Sequence, residues 1–455
     1  MFHAPLTEGR AGAAHDPAEP IRTMRLQFLL SLIANVSRVL LGFVFFWQVS
    51  QALGLKTLGE YLYVTAALGY FGTLIDYGFN LFVLNTASRS AGSVRPLFLR
   101  VVVSKLVLTA LSVLILVGLY AIAFTAQGLV VTALFFAIMA LQSFSGLLIQ
   151  FFKALGRFEH EFSSAILASA LPVAAVWVWA DSLTLPQLAW IVLAIRLVVL
   201  AFQACVFLRL TRGQTWAALD EAIERLLPRA LRDIRANFKY ALFSVLGAVF
   251  LSVDLVVMRF VLGPEDVTIY GTAMKVILAG ILFFEVLNGT FTPRLARAHT
   301  KGDGAMNKEA SRFITIMGIT AVVFSSAIFL FAPAAISVAF GPEYAGAADL
   351  VRVLSVILLL RVSEMTIGPL LTVYGLQGFR ARVMTIVLPV HITLNLALQP
   401  QFGIRGAVAS LALSFLLLFI LNTVYLLRHR DRCTMAPSDR ALTGAMPSGP
   451  TVPSP

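Results

Sequence analysis

Apolar runs of about 20 residues recur along nearly the whole chain, each long enough to cross the hydrocarbon of a bilayer as a helix. Polar side chains are too few for any other solution. Of the 455 residues 59% are hydrophobic and 13% charged, with a mean hydropathy of +0.86. A core of that size cannot be covered by so little polar surface in water. The runs show no period-two alternation, which argues against a membrane β-barrel. The expectation is an all-α polytopic membrane protein with about twelve transmembrane helices, at roughly 26–51, 58–84, 97–123, 128–152, 162–180, 187–208, 238–262, 267–292, 313–340, 347–371, 379–398 and 404–427. Residues 1–20 are polar and the first apolar run is a full span, so no cleavable signal is expected. Cys205 and Cys433 provide neither a disulfide framework nor a metal set.

Basic residues collect in alternate connections. Arg22 and Arg25 precede span 1, Arg89, Arg95 and Arg100 separate spans 2 and 3, and Lys153 and Arg157 separate spans 4 and 5. Seven cations from Arg209 to Lys239 lie between spans 6 and 7, and five from Arg294 to Arg312 between spans 8 and 9. Arg380 and Arg382 follow span 10, and Arg428, Arg430 and Arg432 follow span 12. The other connections hold Lys56, Arg405 and little else that is basic. That asymmetry predicts cytoplasmic cation-rich loops and, with an even number of spans, cytoplasmic termini. The turns Gly263–Asp266 and Gly341–Tyr344 are then outside. The net charge of +12 reads as topology, so no nucleic-acid partner is expected.

The chain also repeats itself. "LGLKTLGEY" (53–61) aligns with "LGPEDVTIY" (262–270) at an offset of 209, which also carries Asp76 onto Glu285. A looser match sets "ALGRF" (154–158) and Leu171-Pro172 against "LQGFR" (376–380) and Leu388-Pro389. Two six-helix bundles of one orientation follow, 24–208 and 238–427, related by a pseudo-two-fold along the membrane normal. Between them 209–237 reads as a cytoplasmic linker with an amphipathic helix. Segments 1–23 and 428–455 read as disordered cytoplasmic tails.

"LGLKTLGEYLYVTAALGYFGTLIDYGFN" (53–80), "ALGRFEHEF" (154–162) and "LSVDLVVMRFVLGPEDVTIYGTAMK" (251–275) resemble the polysaccharide flippases of the multidrug/oligosaccharidyl-lipid/polysaccharide exporter superfamily. So do "FTPRLARAHTKGD" (291–303), "FGPEYAGAADLVRVLS" (340–355) and "NLALQPQFGIRGAVAS" (395–410), in order, over residues 24–427. The resemblance implies two bundles around a cavity that opens alternately to either side. It implies a non-enzymatic transporter, without cofactor, in the bacterial cytoplasmic (inner) membrane. Its substrate would be a polyprenyl-pyrophosphate-linked glycan, moved to the outer leaflet for cell-surface or exopolysaccharide synthesis. Membrane lipids, a coupling proton or sodium ion, and other polysaccharide-assembly proteins are the remaining implied partners.

Charged residues inside the spans are the candidate site, because a central Arg, Lys or Asp costs roughly 2.5–3.5 kcal/mol to insert. Arg38 shares one helix stripe with Ser31, Asn35 and Gly42. With Lys275, Arg196 and Arg361 it could bind a pyrophosphate, which needs fixed cations and several donors. Alternatively, Arg38 is satisfied by carbonyls or an acid. Arg361 and Glu364, three apart, read first as an ion pair. Arg196 could pack against Asp76 or Glu364. Lys105, Arg259 and Arg352 lie near span ends and are expected to snorkel. Asp76, Asp254, Glu285 and Glu364 are either counter-ions or ion-coupling carboxylates, and His391, four residues before Asn395, could join a proton relay. The cluster Glu159-His160-Glu161 reads as a solvated turn. Pro172, Pro369 and Pro389 fall within helices and should kink them.

Two other functions compete. A small-cation or drug exporter of the same superfamily would favour an acidic cavity, whereas Arg38, Arg196, Lys275 and Arg361 lie deep. A glycan polymerase or ligase would need a larger outside loop or a carboxylate-rich site, and the outside loops are short. No Gly-rich phosphate loop follows a strand, which argues against ATP hydrolysis.

Overall fold

The computed structural model describes residues 19–87, 94–125, 128–179, 182–212 and 223–433. Among these every regular element is helical. In chain order they are α1 (Glu19–Asp76), α2 (Phe79–Ala87), α3 (Val94–Ala123), α4 (Leu129–Ala154), α5 (Phe158–Trp179), α6 (Leu185–Leu210), α7 (Ile223–Val261), α8 (Pro264–Thr300), α9 (Asp303–Phe340), α10 (Ala345–Val373), α11 (Gln377–Phe402) and α12 (Ile404–Cys433). Among the described residues ten of these helices, all but α2 and α10, are long and apolar enough to cross a membrane. The 58-residue α1 holds two crossings, expected spans 1 and 2, broken at Gly54 with φ 67° and ψ 167°. Only glycine adopts that backbone without strain, so two helices meet there with no loop between them.

The repeat is visible in backbone geometry. Gly263, 209 residues after Gly54, caps α8 with φ 120° and ψ 176°. Gly156 after α4 and Gly375 after α10 have φ 70° and 72°. Each closes its helix with the same pair of bonds, Arg157 N–H to Phe152 O and Gly156 N–H to Lys153 O, then Leu376 N–H to Leu371 O and Gly375 N–H to Thr372 O. That is the Schellman arrangement. It corrects the looser alignment: the partner of Gly156 is Gly375, not Gly378, because the αL cap fixes the register.

Two six-helix bundles result. In the first, α1 packs on α4 and α5, and α6 on α4 and α5; in the second, α8, α9 and α10 pack together, α7 on α11, and α12 on α10 and α11. They meet through α1 against α7 and α8, and through α3 against α7. Side chains such as Leu40 and Leu114, 61% and 71% exposed, face outward as lipid contact demands.

At the cation-poor end the bundles are sealed to each other. Trp47 Nε1 and Gln51 Nε2 donate to Ala339 O at 2.7 and 3.2 Å, and Thr268 Oγ1 to Leu55 O at 2.6 Å. Arg259 grips Glu60 with two nitrogens, at 2.9 and 2.6 Å. Arg259, which the sequence predicts to snorkel, is thus held by the carboxylate facing it on α1. A Cβ at Gly59 would collide with the Pro264 carbonyl. Gly59→Val is accordingly expected to hold this seal open, making a cysteine at position 50, which is buried while the seal is closed, label readily with an impermeant thiol reagent. Unchanged labelling would contradict the seal as described.

The linker takes a different form from the one expected. Residues 223–237 are helical but not a separate element; they continue without break into span 7 as the 39-residue α7. This extension docks on the first bundle, with Arg100 Nε 2.5 Å from Asp233 Oδ2 and Ser104 Oγ donating to Ala230 O. The segment 213–222 and the tail portions 1–18 and 434–455 lie outside the described residues.

Candidate anion cavity

A cavity of about 520 Å3 lies between α1, α4, α5 and α6. Its polar wall comes largely from one stripe of α4, on which Gln142, Ser145, Gly146, Gln150 and Lys153 recur at helical spacing. Arg38, Gln142 and Arg196 also line a second space of about 280 Å3, which reaches Tyr61, Phe135 and Lys275 of α8. The two spaces share walls and run from the Lys153–Glu161 end, on the cation-rich side, toward the seal.

Three of the four predicted cations converge here. Arg38 Nη1 donates to Asn35 Oδ1 at 3.0 Å, which orients the guanidinium. Arg196 lies near enough to Arg38 for their charges to repel, and its Nε is buried without a partner. Lys275 has its ammonium 5.6 Å from the centre of the Phe46 ring. Among the described residues no carboxylate pairs with Arg38, Arg196 or Lys275. Four other cations singled out in the spans each hold one: Lys105–Asp76 at 2.9 Å, Arg259–Glu60 at 2.6 Å, Arg352–Asp349 at 2.9 Å and Arg361–Glu364 at 2.6 Å. Keeping three cations close together without counter-ions is costly in a bundle interior, and an anion would relieve the cost.

Several expected residues lie elsewhere. Arg361 is not in the cavity: it pairs with Glu364, stands 5.3 Å from the Phe415 ring and faces α12. Glu364 is engaged a second time by Arg380 at 3.7 Å, so it faces two guanidiniums. Asp76 lines the cavity but is neutralised by Lys105, which is fully buried and also donates to Ser143 Oγ at 2.7 Å and Ser143 O at 3.1 Å. Lys105 thus points inward instead of snorkelling, because α3 turns that face onto the polar stripe of α4. Glu285 is exposed on α8 and has no ion-pair partner among the described residues; the repeat places Ile314, 209 residues on, where Lys105 pairs with Asp76. Glu161 is no solvated turn either. It is fully buried and bound to Lys153 at 2.9 Å, with Ser31 donating to it at 3.5 Å.

The second bundle holds a buried polar network of its own. Asp254 accepts from Tyr270 OH at 2.6 Å and from Asn395 Nδ2 at 3.0 Å, and His391 Nε2 is 2.7 Å away. His391 Nδ1 lies 2.8 Å from Ser414 Oγ, while Ser414 donates to Ser410 O at 2.7 Å. Gln399 donates to Asn395 Oδ1 at 2.7 Å. A proton count follows from these bonds. If the Ser414 hydrogen goes to Ser410, Ser414 Oγ accepts from His391 Nδ1–H, and a second proton is shared between His391 Nε2 and the Asp254 carboxyl. If it turns to Nδ1, a neutral histidine suffices. Tyr270, Gln399 and Ser414 were missed in the sequence reading; Asn395 and Gln399, four apart on α11 with His391, were the available signal. Among the described residues no group of three His, Cys, Asp or Glu could hold a metal ion.

Comparison with known proteins bears on this architecture. A family model described as "Polysaccharide biosynthesis protein" matches residues 27–254. The "Probable low-salt glycan biosynthesis flippase Agl15" of Haloferax volcanii is 26% identical over 202 residues, covering 43% of each chain. The "Capsular polysaccharide biosynthesis protein CapF" of Staphylococcus aureus is 23% identical over 175 residues, covering 38% of this chain and 44% of that one. The matches thus span 43% and 44% of these relatives' own lengths. Among solved structures, an inward-facing multidrug resistance transporter of the MATE family has a TM-score of 0.68 at 16% identity, over 90% of this chain and 96% of that one. The lipid II flippase MurJ in an inward closed conformation has a TM-score of 0.63 at 14% identity, over 88% and 87%. Those two likenesses show a shared multi-pass transporter fold. The family match covers the whole cavity wall contributed by the first bundle, and by it this chain belongs to the polysaccharide biosynthesis protein family.

Proposed function

We propose that this chain is an alternating-access flippase that carries a polyprenyl-pyrophosphate-linked oligosaccharide from the cytoplasmic to the outer leaflet. The observation that carries the reading is the convergence of Arg38, Arg196 and Lys275, none with a carboxylate, on one cavity. A pyrophosphate crossing the bilayer must shed much of its water, and guanidinium and ammonium donors replace that hydration. The hydroxyls and amides of α4 and α5 along the same cavity suit a sugar. The family membership and the flippase named among the relatives support the same reading. A drug exporter of the multidrug type fits poorly, because a cationic drug would be repelled by these three charges.

In this reading the chain sits in a bacterial cytoplasmic membrane with both termini cytoplasmic, and the bundles 24–208 and 238–427 rock against each other. The cavity reaches toward the cation-rich side and is closed by the seal at the other, which is the loading state. The Asp254–His391 pair, buried where four helices meet, is the coupling element in this reading. No step of this cycle breaks a covalent bond.

Transport by purified protein in proteoliposomes tests the reading. A fluorescent polyprenyl-pyrophosphate oligosaccharide should cross the bilayer, and the matching polyprenyl glycan lacking phosphate should cross at least about tenfold more slowly, the loss expected for one charge-assisted contact set. Equal rates for the two lipids would reject the anion site.

A further inference from the structure

At the cation-rich end, the turn between α8 and α9 forms a groove of about 470 Å3 lined by Arg294, Arg297, Lys301, Lys308 and Arg312, with Glu309 the one acid. All five cations are exposed. None makes an ion pair among the described residues: Arg294 stands over the Phe291 ring at 5.4 Å, and Arg297 Nε bonds its own helix at Pro293 O. Elsewhere at this end cations hold acids, as in Arg100–Asp233, Lys153–Glu161, Arg157–Glu159 and Arg380–Glu364. The groove is therefore a net concentration of positive charge, five cations against one carboxylate.

Its depth in the membrane narrows what can compensate it. Arg294 and Arg312 directly border the expected spans 267–292 and 313–340, and Arg297 and Lys308 sit about one turn further out. Each terminal stretch projects on the order of 5–15 Å beyond the hydrocarbon, the thickness of the headgroup layer and a little more. The groove is also separate from the anion cavity, since the two share no lining residue.

We infer that the α8–α9 groove binds the phosphate headgroup of an anionic membrane phospholipid, with Arg294, Arg297 and Arg312 facing the phosphate and Lys301 and Lys308 closing the mouth. The site goes beyond the flippase reading and does not depend on it. A bulk anionic phospholipid is the occupant because the groove opens to the headgroup layer and leads to no transport path. Its consequence is mechanical: the lipid holds the end of α8, the helix that carries Lys275. His299, on the same helix end, packs edge-on against Tyr374 at 5.2 Å, so the anchor reaches the end of α10 as well.

Native mass spectrometry of the full-length protein in neutral detergent, titrated with short-chain phosphatidylglycerol or phosphatidylcholine, tests this. Wild type should retain one tightly bound phosphatidylglycerol and prefer it to phosphatidylcholine. R294Q/R297Q/R312Q should weaken that binding roughly a hundredfold, from about fivefold per headgroup-facing cation. R209Q/R382Q/R428Q, which removes as many exposed cations outside the groove, should leave it within about twofold. Ala305→Trp fills the groove with all five charges intact and should abolish the preference even if the triple variant folds poorly. Equal loss in both triple variants, or full retention in Ala305→Trp, would overturn the site. Displacement of phosphatidylglycerol from the groove by an equimolar short-chain polyprenyl pyrophosphate would overturn the assignment to phospholipid.

Discussion

Asp76→Ala is expected to be the most destabilising single substitution in the first bundle. It leaves the Lys105 ammonium fully buried, still held by Ser143 but without its carboxylate. Removing one member of a buried ion pair costs about 3–5 kcal/mol. The converse change should cost less, because the Asp76 side chain is 26% exposed to the cavity and stays hydrated when Lys105 is replaced by methionine. Combining Asp76→Asn with Lys105→Met should recover most of the loss, as both charges are then gone. Chemical unfolding of purified protein in detergent, with protein level in the membrane, provides the ranking. Equal losses for Asp76→Ala and Lys105→Met would mean that the cavity does not hydrate the carboxylate.

Arg38→Ala is expected to have the opposite profile, with export lost and stability kept. Arg38 is exposed to the cavity and, among the described residues, bonded only to Asn35, so its removal orphans no buried charge there. Loss of a charge-assisted contact to phosphate is worth about 1.5–3 kcal/mol, or roughly tenfold to a hundredfold in apparent affinity. Arg38→Lys should retain part of the activity because the charge survives while the two-pronged geometry does not. Complementation of a flippase-deficient strain, with surface glycan and membrane protein level measured together, distinguishes the cases. Normal export by well-expressed Arg38→Ala would remove Arg38 from the site. A parallel fall in level and export would make it a structural arginine.

The spans were legible because hydrocarbon imposes one length and one hydrogen-bonding solution on any crossing segment. The 209-residue repeat was legible because Gly54 and Gly263 must both be glycine to hold their backbone angles. Less could be read where a helix face decided the outcome. Lys105 and Arg259 resemble any cation near a span end, and only the packing of α3 on α4 and of α7 on α1 reveals Asp76 and Glu60 as their partners. Arg361 and Arg38 are equally deep in sequence. The first has an acid three residues on and is neutralised, while the second has Asn35 three residues back and stays charged. The three-residue neighbour was a readable signal for both. The Asp254 network joins α7, α8, α11 and α12, so no local pattern could have assembled it.

The continuous α7 constrains how the two bundles can part. One helix is held by the first bundle at both extremities, through Asp233 to Arg100 at one end and Arg259 to Glu60 at the other. A rod pinned twice to its neighbour can pivot about its own length but cannot swing away from it. With the seal closed, the side of the molecule where α7 meets α1 and α3 is therefore a firmly joined edge of the two bundles. The bonds of Trp47, Gln51 and Leu55 to α8 and α9 are those that any parting of the bundles at this end must break.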